Sequence, residues 1–585
     1  MRRSRTPRAV LTRHFLRTFL ENDLISPESD RAQLLALVGG GLLTVTLFIT
    51  LFSSARYVMI TMMPGEAALS ALSDRFSYLA LSMIVTALVA AAQWDALAVD
   101  ARDTTILEPL PVSPATIRQA KLLAVGILGC AVAVAAAALP SVVFPWLLVY
   151  HMPVTVADML TLNAAHAVFS LAAAAFGYLS VLAMREALAV VLAPRWFGRV
   201  SPWVQGGLIV VLGSALLLLP PAGLRLDRGD LTGWRAMTPP AWFVGAYELT
   251  AGNVIAEAPR RIMTPRQRRT DAAATSTYRT YRGDLERLAG RAGLALGGVL
   301  LLIAIVYAVS AHKLPTLAAV ASGAHRRRWR LAAWISHTLV VRNPTARAGF
   351  YFTLAAMWRS NTHRLTIACA AAGGIAMSVV ALSGVDLEAA RSGRPPVRLL
   401  AMQPLLYGAL LVAFRHAVRV PAELRANWGF QLAWRENERA FLAGARRAAI
   451  AGLVLPALAV WLPLFVYVLG PTRALAHAVM GLAGAVVFLE AVMVGYDKVP
   501  FTCTYVPDGR LKALGIPFVV IFVMGASLFA GMQREVLLGG GARRLLVTLG
   551  VMFIVLRVLS ITRSRLPSVE FDEAPAAFQR LGLHT

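Results

Sequence analysis

Residues 94–121, WDALAVDARDTTILEPLPVSPATIRQAK, separate two long apolar runs, and their reading decides how the rest of the chain is parsed. The stretch is polar and carries charges of both signs. Pro109, Pro111 and Pro114 punctuate its middle. Each proline lacks an N–H and biases the residue before it toward extended geometry, so Glu108–Pro114 cannot continue a helix. Ala115–Lys121 restarts a helix that runs into the next apolar segment. A short helix, a proline-pinned turn and a helix restart make a rigid knob between two membrane spans.

Composition agrees with a membrane chain. Of 585 residues, 57% are hydrophobic and 15% charged, and the mean hydropathy is +0.63. That is too apolar for a soluble protein and calls for many bilayer spans. The formal net charge of +26 would suggest nucleic acid in a soluble chain. Here the basic residues sit in loops between apolar runs, where they set topology and meet anionic lipid headgroups, so membrane lipids rather than nucleic acid are the expected partners. Nearly all are arginine; lysine occurs only at Lys121, Lys313, Lys498 and Lys512. Cys130, Cys369 and Cys503 are far apart and form neither a disulfide framework nor a zinc-ligand spacing. The basic N-terminus lacks an apolar core followed by a small-residue cleavage site, and is not read as a cleaved signal peptide.

Apolar runs of about 20 residues, enough for a hydrocarbon core about 30 Å thick, recur along the chain. They place spans near 33–52, 76–93, 122–150, 156–183, 205–219, 292–310, 364–382, 402–418, 448–469, 474–496, 513–532 and 544–561. The third contains Pro140 and Pro145 and is expected to be kinked. Before the first span, residues 8–24 place Val10, Leu11, Phe15, Phe19 and Leu20 on one side at helical spacing, flanked by Arg13, His14 and Arg17. This suits a helix lying in the membrane interface, or an amphipathic helix packed on protein. Residues 348–359 have the same character. The longest polar insertion, 220–291, divides into an aromatic, proline-rich part (237–252), expected as a small ordered region against the outer face, and an arginine-rich part, expected as a flexible strip leading into a helix.

About 12 spans put the N-terminus, 94–121, 185–203, 312–363, 419–447, 497–512 and the tail on one side. The short connectors there are richer in arginine, so that side is the cytoplasm, with both termini in it. Loop 220–291 is basic yet falls outside; long loops are weak voters under this rule. Were it inside, a neighbouring apolar segment would have to be re-entrant. The expected fold is all-α: a polytopic membrane protein of about 12 transmembrane helices in two parallel six-helix halves, 1–311 and 312–585. Each half has an interfacial helix, two spans, a polar connector (94–121; 419–447) and four more spans. Only about ten residues, 533–543, stand in the second half where the first carries its insertion.

Ile106–Pro114, followed by Ile117 and Ala120-Lys121-Leu122, resembles the segment after the second transmembrane helix of ABC-2 type transporter permeases. The shared plan of the two halves is similar to that family's as well. The resemblance implies a permease subunit in the cell inner (plasma) membrane, two permease halves fused, working as an exporter. It implies cytoplasmic ABC ATPase subunits as partners, so that ATP is used by the partner and this chain needs no cofactor. It also implies that Glu108, Pro109, Leu110, Pro111, Val112, Ser113 and Pro114 form a coupling helix and turn docking on the ATPase. The second connector lacks that turn. Its Arg425, Asn427, Trp428 and Arg435 are candidates for the same docking, since Trp and Arg often anchor interfaces; alternatively Trp428 and Trp434 are interfacial belt residues.

The chain carries no P-loop signature, and none of its four lysines follows a glycine. No catalytic motif or metal-ligand spacing points to an enzyme. His166 and His477 are single histidines in apolar runs, expected as packed, hydrogen-bonded core residues. Glu490, beside Asp497 and Lys498, and Arg185-Glu186 read as local ion pairs near the interface. An alternative to the ATP-driven permease is an ion-gradient-driven secondary transporter of six-plus-six design. That reading needs buried carboxylates or broken helices near the midplane, and the spans have almost no acids in their central thirds.

Overall fold

The computed structural model describes residues 6–20, 64–94, 112–149, 152, 154–219, 234–256, 264–310, 341–383, 385–391, 394–421, 438–496, 498–502, 515–539 and 542–564. Among them the chain is α-helical, and eleven helices are long and apolar enough to cross a membrane. The first expected span, 33–52, lies outside the described residues. The other eleven expected spans each fall within one of these helices. The chain divides into two compact units, Met1–Ala324 and His325–Thr585.

In the first unit, α1 (Pro7–Leu20) precedes α2 (Pro64–Ala92), α3 (Pro114–Leu148), α4 (Val156–Val191) and α5 (Pro194–Leu218). The insertion follows as a 3-10 turn (Trp234–Met237), α6 (Pro239–Ala256) and α7 (Pro265–Thr280), and α8 (Arg282–Ser310) closes the unit. The second unit contains α9 (Pro344–Arg359), α10 (Asn361–Leu382), the short α11 (Leu387–Arg391), α12 (Val397–Ala417), α13 (Glu438–Ala449), a π-helical turn (Ile450–Val454), α14 (Leu455–Leu469), α15 (Pro471–Val492), α16 (Gly515–Leu538) and α17 (Ala542–Ser564).

Local chemistry sets the helix starts. Eight helices open on proline, whose missing N–H is one of the donors a first turn leaves unpaired anyway. Ser113 caps α3, and Thr155 and Thr264 each form a reciprocal capping box, with Asp158 and Gln267. Because of that box, residues 265–280 are a helix and not the flexible strip expected from their polarity. One helix, α3, runs through both Pro140 and Pro145. In the second unit, Pro456 cannot donate to the carbonyl of Gly452, and the π turn lies immediately before it. There Leu455 donates its N–H to the carbonyl of Ile450, five residues back.

The same packing scheme recurs inside each unit. In the first, α2 packs on α3, α4 and α5, α3 packs on α4, and α4 packs on α8. In the second, α12 packs on α14, α15 and α16, α14 packs on α15, and α15 packs on α17. Small residues allow the close crossings on which helix pairs in lipid depend. A Cβ at Gly177 of α4 would strike the Met83 carbonyl of α2, and nearby Thr86 Oγ1 donates to the Ala174 carbonyl (2.8 Å). The preceding helix also packs on the same partner in each unit: α1 on α3, and α9 on α13.

Candidate functional site at the connector ends

Each polar connector leaves its unit from the C-terminus of the second span and re-enters at the third. Helix C-termini leave carbonyls without intrahelical partners, and both units capture them with groups from elsewhere in the bundle. At the end of α2, Arg185 donates from Nε to the Trp94 carbonyl (2.7 Å), and Gln205 donates from Nε2 to the Ala91 carbonyl (3.0 Å). The buried Trp94 indole donates to Ser201 Oγ (2.7 Å). Arg185 also pairs with Glu186, and its charge suits a helix C-terminus.

At the end of α12, the Val418 carbonyl accepts from Tyr496 OH (2.9 Å) and from the Phe501 N–H (2.9 Å). The Val420 carbonyl accepts from His363 Nε2 (2.9 Å), which fixes that ring's tautomer. Phe501 is held at φ 65°, a left-handed conformation that bulky side chains avoid, at a cost of about 1–3 kcal/mol. Its ring is buried against Phe352 and His363 (4.9 Å between centroids for the latter). The strained residue thus supplies both a stopper and a donor under the point where the second connector departs.

The re-entry points are gripped as well. Ser113 Oγ accepts from the Thr116 N–H (3.2 Å), and Pro114 starts α3. Leu11 and Phe15 of α1 are buried, and Lys121 Nζ sits 4.6 Å from the centroid of the Phe15 ring. Val10, expected on the same apolar side, is exposed. In the second unit, α9 and α13 cross backbone to backbone. A Cβ at Gly349 would strike the Phe441 carbonyl, and one at Gly444 the Ala346 carbonyl. Beyond that crossing, Glu490 of α15 bridges Arg446 (2.8 Å) and Arg563 of α17. The ion pair expected at Glu490 is present, with these arginines as partners rather than Lys498.

Of the expected coupling residues, Val112, Ser113 and Pro114 are described; the serine is the helix cap. Glu108, Pro109, Leu110 and Pro111 lie outside the described residues, as do Arg425, Asn427, Trp428 and Arg435. Sequence reasoning missed His363, Gln205, Tyr496 and Phe501, whose role is to hold carbonyls more than fifty residues away. No local pattern announces such a bond.

A second polar cluster lies toward the opposite end of the first unit. Arg75, one turn inside the spanning part of α2, forms a buried ion pair with Glu248 of α6. Tyr278 of α7 donates to the other Glu248 oxygen (2.7 Å), and the Arg75 guanidinium lies 4.2 Å from the Tyr247 ring centroid. The Gly65 N–H donates to Asp271 of α7 (2.7 Å). Burial holds the phenols of both Tyr278 and Tyr247 well above their ordinary value. His166 is packed among the rings of Tyr78, Phe144 and Tyr247, and His477 against Phe465. Both histidines are buried as expected, but neither His477 nitrogen has a hydrogen-bond partner. No group of three or more His, Cys, Asp or Glu side chains among the described residues could hold a metal ion.

Compared with known proteins, the chain matches no family model, no curated protein and no solved structure. What the fold defines is a class: an all-α, multi-pass membrane protein.

Proposed function

We propose that this chain is the membrane subunit of an ATP-driven exporter of the ABC-2 permease type, with two permease halves fused and ATP hydrolysed by separate ABC ATPase subunits. The observation that carries this reading is the doubled grip on each connector. One end is tied to the second span through captured carbonyls, and the other to a third span that a preceding helix clasps. A push on residues 95–111 would then reach α2 through Trp94 and α3 through Ser113. A push on 422–437 would reach α12 and α13. Force delivered to such anchored segments moves helices as rigid bodies, which requires no catalytic residue in this chain. In this reading the connectors and both termini face the cytoplasm from the inner membrane.

The ion-gradient alternative gains one observation, since Glu248 is a buried carboxylate beside a spanning helix. Both its oxygens are engaged, one by Arg75 and one by Tyr278. That is a fixed pair rather than a group free to load and release a proton.

The test joins partner and side. Affinity-purified full-length chain is expected to bring down a P-loop ATPase. Pro109→Ala/Pro111→Ala should weaken that recovery. Asp100→Cys, in a background lacking the native cysteines, should react with an impermeant maleimide only after cells are opened. Labelling of intact cells, or preparations that never contain an ATPase, would reject the reading.

A further inference from the structure

The insertion of the first unit encloses a cavity of about 240 Å³ between α6, α7 and α8, lined by Glu248, Leu249, Asn253, Ala256, Tyr278, Arg279, Arg282 and Leu285. The volume is below the roughly 300–1,000 Å³ of pockets that enclose a whole drug-sized ligand, so it suits one end of a molecule. Its lining is ordered by charge. The buried Glu248 carboxylate lies in the wall, held by Arg75 and Tyr278, and a carboxylate so held still has lone pairs to offer a donor. Gly252 makes that arrangement possible, because a Cβ there would collide with both Tyr278 OH and Glu248 Oε2. Arg279 and Arg282 are exposed; Arg282 is 3.5 Å from Glu286, whereas Arg279 has no ion pair. The surrounding segment is basic, with seven arginines against three acids in residues 264–291. Farther along α8 the surface becomes apolar and open at Leu294, Leu301 and Ile305.

We propose that this cavity binds a phosphodiester headgroup that ends in a hydrogen-bond donor, of the ethanolamine or glycerol type, presented by a membrane phospholipid. The phosphate meets Arg279 and Arg282, which can grip its oxygens with planar forks. The terminal ammonium or hydroxyl donates to Glu248. The acyl chains leave along the exposed apolar surface of α8. A choline headgroup carries the same phosphate but no N–H or O–H, so it satisfies the arginines and leaves the carboxylate unserved. The inference does not depend on the exporter reading; it needs only the bilayer and the insertion.

The experiment uses the full chain in nanodiscs of phosphatidylcholine and phosphatidylethanolamine in equal amounts, followed by detergent extraction and native mass spectrometry of the retained lipid. Preferential retention of the ethanolamine lipid is expected. Arg279→Gln/Arg282→Gln should lower that preference about fivefold or more, on the scale of one lipid-facing arginine near a surface. Arg266→Gln/Arg268→Gln, on exposed positions outside the cavity, should leave it in place. Soluble glycerophosphoethanolamine distinguishes the sources: if it displaces the lipid, the site reads the headgroup alone and accepts the free ester. Equal retention of choline and ethanolamine lipids would overturn the proposal. So would equal loss in both double variants, which would mean diffuse attraction without a built site.

Discussion

The two units share a packing scheme and place their buried charges at opposite ends. In the first, residues 219–281 lie between α5 and α8, and they bring Glu248 to Arg75 at the end away from the connector. In the second, only 539–541 lie between α16 and α17, fewer than the ten residues expected because α16 runs on to Leu538. That unit has its ion cluster near the connector instead, where Glu490 ties the third, fourth and sixth spans through Arg446 and Arg563. Its third span also contains the π turn that its counterpart α3 lacks. The same scaffold is therefore pinned at the insertion end in one unit and at the connector end in the other. The difference teaches that an insertion can act as a brace, and that a unit without one is braced by charges on the spans themselves.

The sharpest way to break this comparison is to remove one member of the first unit's brace. Arg75→Met leaves Glu248 buried without its cation, and losses of about 3–5 kcal/mol are typical when one partner of a buried pair is removed. Arg75→Met/Glu248→Leu removes both charges and should recover most of that loss, since apolar replacements of buried pairs are often neutral or better. Thermal unfolding of the purified chain in detergent reads both. If Arg75→Met unfolds at the wild-type temperature, the insertion is not a brace.

That pair also marks the limit of what the sequence discloses. The spans are legible because lipid demands about 20 apolar residues in a row, and nothing else in the chain has that length and composition. The second span was expected to begin at Phe76, one residue after Arg75, since a hydropathy reading stops at an unpaired charge. The helix in fact begins at Pro64, because the charge is met by Glu248, 173 positions away. The polar look of 265–280 hid a helix whose capping box, Thr264 and Gln267, was present in the letters. The doubled connector layout was readable from the order of apolar and polar runs. The carbonyl captures by Arg185, Tyr496 and His363 were not, because they depend on which faces meet after folding.

A second experiment compares how the preceding helices are held. Gly444→Ala puts a methyl group into the backbone of α9, and overpacking of this kind costs about 1–3 kcal/mol. The expected result is a lower unfolding temperature and faster proteolysis at the arginines of α9. Gly126→Ala in α3 meets nothing within 4 Å and should be silent. If both substitutions behave alike, backbone contact is not what distinguishes the α9–α13 crossing.

The smallest effect is expected at the corresponding grip in the first unit. There α1 sits on α3 through Phe15 and Lys121 as well as through small residues, with Ala120 and Ala124 fully buried. A cation over an aromatic face contributes about 0.5–1 kcal/mol when exposed and about 2 when desolvated. Lys121 is buried, which places it toward the upper figure. Single substitutions would mix this with packing and with the other contacts of the lysine, so the measurement is a double-mutant cycle of Phe15→Leu and Lys121→Met. A coupling of about 1–2 kcal/mol in unfolding free energy means that the first unit grips its connector-side span by a charge on a ring, where the second does so by bare backbone contact. A coupling of zero would leave shape alone holding α1, and the two grips would then differ only in closeness.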